Sequence, residues 1–292
     1  MELNVGEKTN MQNSKSAKPV VEAGILSVII VVLMIINDTL PFLGTISMFI
    51  LPIPMTVLAL RHDVKTAIVA LVASTVLGAM LIGPITAIST LFLYGPVGIT
   101  LGFCVKRGLR AVESIQLTFI GAVVGVLIQN IMYGYLILGS NLKGVFRQLY
   151  DTIITSFTMN KEMYSSLGVN LEDYPDLQSL FDFTFEEFMV IIIPVVFASA
   201  MFIAFLNYVI SRSILRKLSI EMKPLPHFSC WYIDSRYLAG LIIIACLGII
   251  LEGNGIIVGE YLYVTAFYFL QFALITIGLS AVSFFLMNKL HL

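Results

Sequence analysis

The stretch VVEAGILSVIIVVLMIIND (20–38) holds seventeen consecutive residues, Val20 to Ile36, interrupted by one charge at Glu22 before it closes on Asn37-Asp38. About twenty apolar residues, rising 1.5 Å each, cross the roughly 30 Å of bilayer hydrocarbon. A run of this length and purity therefore predicts a membrane-spanning helix. The residues before it are polar and carry Lys8, Lys15 and Lys18, and no small-residue cleavage site follows it. An uncleaved first span is expected rather than a removed signal peptide.

Further apolar runs follow at about 42–60, 64–82, 84–104, 114–138, 188–210, 236–251 and 258–288. Backbone amides in lipid must be hydrogen-bonded inside their own segment, so these runs are predicted as helices. A β-barrel would need short alternating strands, which the sequence lacks. The expected fold class is all-α: a polytopic transmembrane bundle of about eight helices with an external helical insert. Composition agrees. The chain is 58% hydrophobic and 12% charged, with mean hydropathy +0.95, whereas soluble domains carry about 25% charged residues.

The Lys and Arg residues fall on alternate connections. The N-terminal tail, the 61–65 turn, the 106–110 turn, the 211–236 loop and the C-terminus together hold fourteen, and the other connections hold three. The positive-inside bias places the fourteen in the cytoplasm, with both termini there. The predicted organisation is a cytoplasmic polar tail (1–19), a five-helix membrane segment (20–138), an external amphipathic helical insert (139–187) and a three-helix membrane segment (188–292). The last contains a basic cytoplasmic loop at 211–235. Within the insert, Val145, Phe146, Leu149, Tyr150, Ile153, Ile154 and Phe157 recur at helical spacing. A second stretch carries Leu177, Leu180, Phe181 and Phe185 among Asp173, Asp176, Asp182, Glu186 and Glu187. The pair reads either as helices lying on the membrane or as a lid over an outward-facing cavity.

Several function classes are disfavoured. The net charge of −1 supplies no field for nucleic acid. Cys104, Cys230 and Cys246 are scattered, with no CxxC and no histidine at ligand spacing, so no metal site or disulfide framework is expected. There is no GxxxxGK[ST] phosphate loop, no nucleophile triad and no HExxH, and no carboxylate stands at mid-span. The chain is accordingly read as lacking an enzymatic role, a catalytic residue, a cofactor and an ATPase of its own.

Polar and helix-breaking residues inside the spans are the candidates for binding. Pro52 and Pro54 each remove a backbone donor, predicting a kink in the second helix with carbonyls freed nearby; packing alone would also explain one. Gln129, Asn130 and Tyr133 lie in the outer half of the fifth helix, Asn207 in the sixth and Gln271 in the last. An amide facing lipid leaves hydrogen-bonding atoms unmet, so these side chains are expected to face inward, to other helices or to a ligand. Gly95, Gly98 and Gly102 of the fourth helix are expected to permit close helix approach. Arg61, His62 and Asp63 form a short turn that either anchors helix ends or docks a partner. Arg212, Arg216 and Lys217 sit among Ile214, Leu215 and Leu218, a basic amphipathic element suited to anionic lipid or a cytoplasmic protein.

Four stretches carry a resemblance: VEAGILSVIIVVLMII (21–36), LPIPMTVLALRHDVKTAI (51–68), LYGPVGITLGF (93–103), and SRSILRKL (211–218) leading to KPLPHFSCWYID (223–234). Together they resemble the YybS-like family of Gram-positive bacterial membrane proteins, a family of unknown function. That family is similar in turn to the substrate-binding S components of energy-coupling factor transporters. The resemblance implies a bacterial cytoplasmic membrane subunit that binds an unidentified small molecule and works with a separate coupling protein and ATPase. S components meet the coupling protein through small residues spaced by four on the first helix, which the resemblance carries onto Ala23 and Ser27. The extra helix pair and the external insert depart from the usual six helices of S components. A membrane scaffold or cell-envelope assembly factor is the alternative; an enzyme acting on lipid-linked substrates has the least support.

Overall fold

The computed structural model describes residues 3–40, 46, 49–139, 141–166 and 184–290. In chain order these form α1 (Leu3–Thr39), α2 (Pro52–Arg61), α3 (Val64–Ile82), α4 (Pro84–Lys106) and α5 (Ala111–Tyr133), which runs into a π-helical turn, Gly134–Leu138. Then come α6 (Leu142–Ser166), α7 (Phe185–Lys217), a 3-10 turn (Phe228–Cys230), α8 (Ser235–Gly253) and α9 (Ile257–Leu290). The described residues are all-α, with no strand among them. Seven of the helices contain segments long and apolar enough to cross a membrane: Pro19–Thr39 of α1, α3, α4, Ala111–Leu138, α7, α8 and Ile257–Met287 of α9. The polytopic bundle expected from the apolar runs is therefore present, and α6 is a non-spanning helix inserted between spans.

The second apolar run differs from the other seven. Its described part is helical at Ile46 and Phe49–Ile50, turns at Leu51, and resumes as the ten-residue α2. Leu51 keeps helical dihedrals (φ −56°, ψ −36°), but the prolines supply no N–H to continue the ladder. Pro52 and Pro54 fall in the first turn of α2, where backbone N–H groups have no intrahelical partner and their loss costs little. At 1.5 Å per residue α2 is about 15 Å long, half a bilayer.

The chain divides into two compact units. One comprises Met1–Leu136 with Ser199–Leu225, the other Ile137–Ala198 with Pro226–Leu292. α7 contributes its first part to the second unit and the remainder to the first.

In the first unit α2 is the core. Every residue from Leu51 to Ala59 is buried. α4 reaches it because it is glycine on the contact face: a Cβ on Gly98 would collide with the Pro52 carbonyl and lie 2.7 Å from Met55 Cβ, and one on Gly102 would lie 2.7 Å from Ala59 Cβ. Without side chains there, the backbones approach and dispersion contacts replace the absent hydrophobic drive between helices in lipid. The buried Thr56 hydroxyl donates across this contact to Gly98 O (3.1 Å). Ile30 and Met34 of α1, Leu58 of α2 and Leu71 of α3 fill one cluster; Ala111 and Ile115 of α5 join Tyr208 and Leu215 of α7 in another.

In the second unit α8 and α9 form a hairpin whose backbones touch at Gly248 and Gly259, where a Cβ on Gly248 would lie 2.9 Å from Gly259 O. Phe197 of α7 meets Phe269 of α9 edge to face, centroids 5.8 Å apart, and the Ser280 hydroxyl of α9 donates to Phe228 O (2.8 Å). α6 buries Val145, and its Tyr150 packs against Phe185 and Phe188 at the start of α7. Leu177, Leu180 and Phe181 lie outside the described residues. Glu186 and Glu187 belong to the first turn of α7, where Glu187 and Thr184 cap the helix reciprocally. The spanning helix thus begins three residues earlier than the apolar run at 188 suggests, because a capped turn tolerates carboxylates at its positive end.

Candidate functional site

The candidate site is α2 with the charged cluster at its end, both in the first unit. Upstream of the interruption, the Phe49 carbonyl accepts a hydrogen bond from Asn207 Nδ2 (3.3 Å). Asn207 is 1% exposed, and Ser211 Oγ lies 3.4 Å from its Oδ1. Pro52 O accepts from Thr56 Oγ1 (3.2 Å). The Thr56 bond to Pro52 O is the usual i−4 bond of a helical threonine hydroxyl, so the brace supplied from outside α2 is the Asn207 amide of α7 at Phe49.

At the other end of α2, Arg61 pairs with Glu22 of α1, and His62 Nε2 lies 2.9 Å from the second Glu22 oxygen. Lys106, the last residue of α4, donates to the His62 carbonyl. These bonds place the start of the α1 span, the α2–α3 turn and the end of α4 on one side, as the alternation of basic connections expects. Asp63 is not part of this cluster. It caps α3 by accepting from Thr66 N (2.6 Å). Hydrogen bonding from Thr66, with Lys106 and Lys65 nearby, holds its carboxyl below the usual aspartate range. The carboxylate for Arg61 thus comes from 39 residues upstream. One signal pointed to it: Glu22 is a carboxylate within a span, and such a charge is expensive unless paired.

Ser27 is buried, donating to Ala70 O of α3 (3.1 Å) and having its own carbonyl approached by Ser74 Oγ (3.3 Å). Ala23 packs, half-buried, against the α1–α3 cluster. Both members of the small-residue pair thus face this chain's own helices. Arg212 is half-buried while Arg216 and Lys217 are exposed at the end of α7, where Tyr208 Oη donates to Lys223 O (2.7 Å) and fixes the following loop.

Gln129, Asn130 and Tyr133 are half-buried near the end of α5, directly before the π-helical turn. Asn130 Nδ2 donates to Val126 O (2.8 Å), leaving its oxygen for another partner. These residues and the prolines do not converge. Gly98 abuts Pro52, whereas Gly125 of α5 abuts Phe92 and Leu93, so Asn130 lies roughly 15 Å farther along the helix axis. Sequence position alone could not establish this, because it depends on the register of α2 against α4. Gln271 departs from the expected inward orientation: it is exposed on α9.

In the first unit, spanning helices enclose a short proline-led helix whose end is clamped by Glu22, Arg61 and Lys106. The seven membrane-length helices among the described residues define a polytopic integral membrane protein. The chain belongs to a family of predicted membrane proteins, DUF2232, whose model matches residues 28–292. This agrees with the YybS-like resemblance of the four stretches. No curated protein and no solved structure matches the chain.

Proposed function

We propose that the protein is a membrane subunit that binds a small molecule and acts with a separate coupling protein and ATPase, without a catalytic role of its own. The observation carrying this reading is the interrupted second helix enclosed by the first unit. Broken helices of this kind line binding sites in transporters, and here Asn207 of α7 bonds the chain just before the break while Thr56 joins α2 to α4 at Gly98. The polar end of α5, with Gln129, Asn130 and Tyr133 before a π-helical turn, is the second place where a ligand would find hydrogen-bonding groups; such turns recur at functional sites. Native mass spectrometry of the protein gently extracted from its own membrane tests this. A retained small molecule, weakened by Asn130→Leu with folding unchanged, is the expected result. A stable protein partner with no small molecule would turn the assignment to the scaffold reading, in which exposed Arg216 and Lys217 dock a cytoplasmic protein.

We further infer that the clustered basic ends face the cytoplasm and α6 faces outward. A cysteine replacing Met159, which is 65% exposed on α6, should react with an impermeant external thiol reagent in a background without native cysteines. A cysteine replacing Lys223 should react only after membrane rupture. The reverse pattern would invert the topology.

A further inference from the structure

Gln271 is the fifteenth residue of the α9 span Ile257–Met287, near its middle. Its side chain is exposed and makes no hydrogen bond among the described residues, in contrast to Asn130 and Asn207, whose amides both donate. It lies in a shallow depression of about 300 Å³ lined by Phe267, Leu270, Leu274 and Ile275. No water reaches this depth to pair with it, and acyl chains carry no group that could. A primary amide left unpaired in hydrocarbon is unfavourable by several kcal/mol, so its face of α9 requires a polar cover.

The surroundings of Gln271 indicate what the cover is. Phe267, Gln271, Leu274, Gly278, Ala281 and Phe285 follow one another at spacings of four and three, the seam of a left-handed helix pair, and all six are exposed. Gly278 has nothing within 4 Å of where its Cβ would be, so this part of the seam is open to a close neighbour. A primary amide is both donor and acceptor and is therefore complementary to another copy of itself. Two copies of one membrane protein share their orientation, so a two-fold axis relating them runs along the membrane normal. Residues next to that axis meet their own counterparts at equal depth. Gln271 would then find a matching amide at its own level, with no other partner required.

We propose that the protein self-associates through α9, with the two Gln271 amides hydrogen-bonded reciprocally and Gly278 allowing the helices to approach. The contact is isologous, and its polar pair fixes the register as a polar residue at a seam position does in coiled coils.

Cysteine cross-linking in intact membranes tests this, in a chain carrying Cys104→Ala, Cys230→Ser and Cys246→Ala and exposed to a membrane-soluble oxidant. Leu274→Cys and Ala281→Cys, seam positions that leave Gln271 and Gly278 intact, should each give a covalent dimer, whereas Phe272→Cys, also exposed but off the seam, should not. In native mass spectrometry Gln271→Leu should shift the dimer equilibrium about tenfold toward monomer, while Gln271→Asn retains most of the dimer. Cross-linking that is absent at Leu274 and Ala281, or equally strong at Phe272, overturns the proposal. So does a monomeric native mass indifferent to Gln271→Leu, or capture of Leu274→Cys by a different protein.

Discussion

α2 has ten residues and is buried along nearly its whole length, whereas α8 has nineteen and buries one, Gly248. Both are highly apolar, so hydrophobicity does not distinguish them. The difference lies in what each leaves unpaired. α8 completes its own hydrogen-bond ladder and presents Ile242, Ile243, Leu247 and Ile250 outward, which lipid accepts as readily as protein does. α2 starts with Pro52 and Pro54, which withhold N–H groups from the carbonyls four residues before them, and lipid cannot supply the missing donors. Enclosure by α1, α3, α4 and α7 meets that requirement. Between these two helices, burial thus tracks missing backbone donors rather than apolar character.

The largest expected effect breaks the enclosure. Gly98→Leu, which drives a side chain into Pro52 and Met55, should destabilise the protein by about 3 kcal/mol. Gly240→Leu on α8, where nothing lies within 4 Å of the added Cβ, should change stability by no more than about 0.5 kcal/mol. Thermal unfolding in detergent reads both; equal sensitivity at the two glycines would dissolve the contrast.

A smaller effect is expected at the ion pairs. Glu22→Ala leaves Arg61 and the half-buried His62 without their carboxylate and should cost about 1–2 kcal/mol. Asp151→Ala removes an exposed helical pair with Arg147 (3.7 Å) and should cost less than about 0.5 kcal/mol. A double-mutant cycle with Arg61→Ala sharpens the first figure: a coupling near zero would mean that the Glu22 pair contributes no more than the exposed one.

Much of the fold was legible in the sequence, and the candidate site much less so. The apolar runs located the seven membrane-length helices, and the stripe from Val145 to Phe157 located α6. Gly98 and Gly102 were correctly read as a close-approach face, since glycines at helical spacing admit a neighbouring backbone. The Glu22 partner of Arg61 was missed, because the adjacent Asp63 offered a nearer carboxylate that is engaged in capping α3. Gln271 was expected to face inward on the argument that an amide should avoid lipid. That argument constrains its surroundings without saying whether the same chain supplies them.

The sequence by itself determined that this protein is an all-α membrane bundle, because a bilayer admits about twenty apolar residues per crossing and forbids unpaired backbone. It also indicated that the start of the first span, the α2–α3 turn and the end of α4 share a side, because basic residues gather at all three. Only the tertiary structure decided that the short second helix becomes the core, that Glu22 holds Arg61 and His62, and that Gln271 faces out. Spans that are apolar all round carry no periodicity to separate a packed face from a lipid-facing one. Their inward faces are chosen by glycine contacts and polar pairings between residues far apart in the chain.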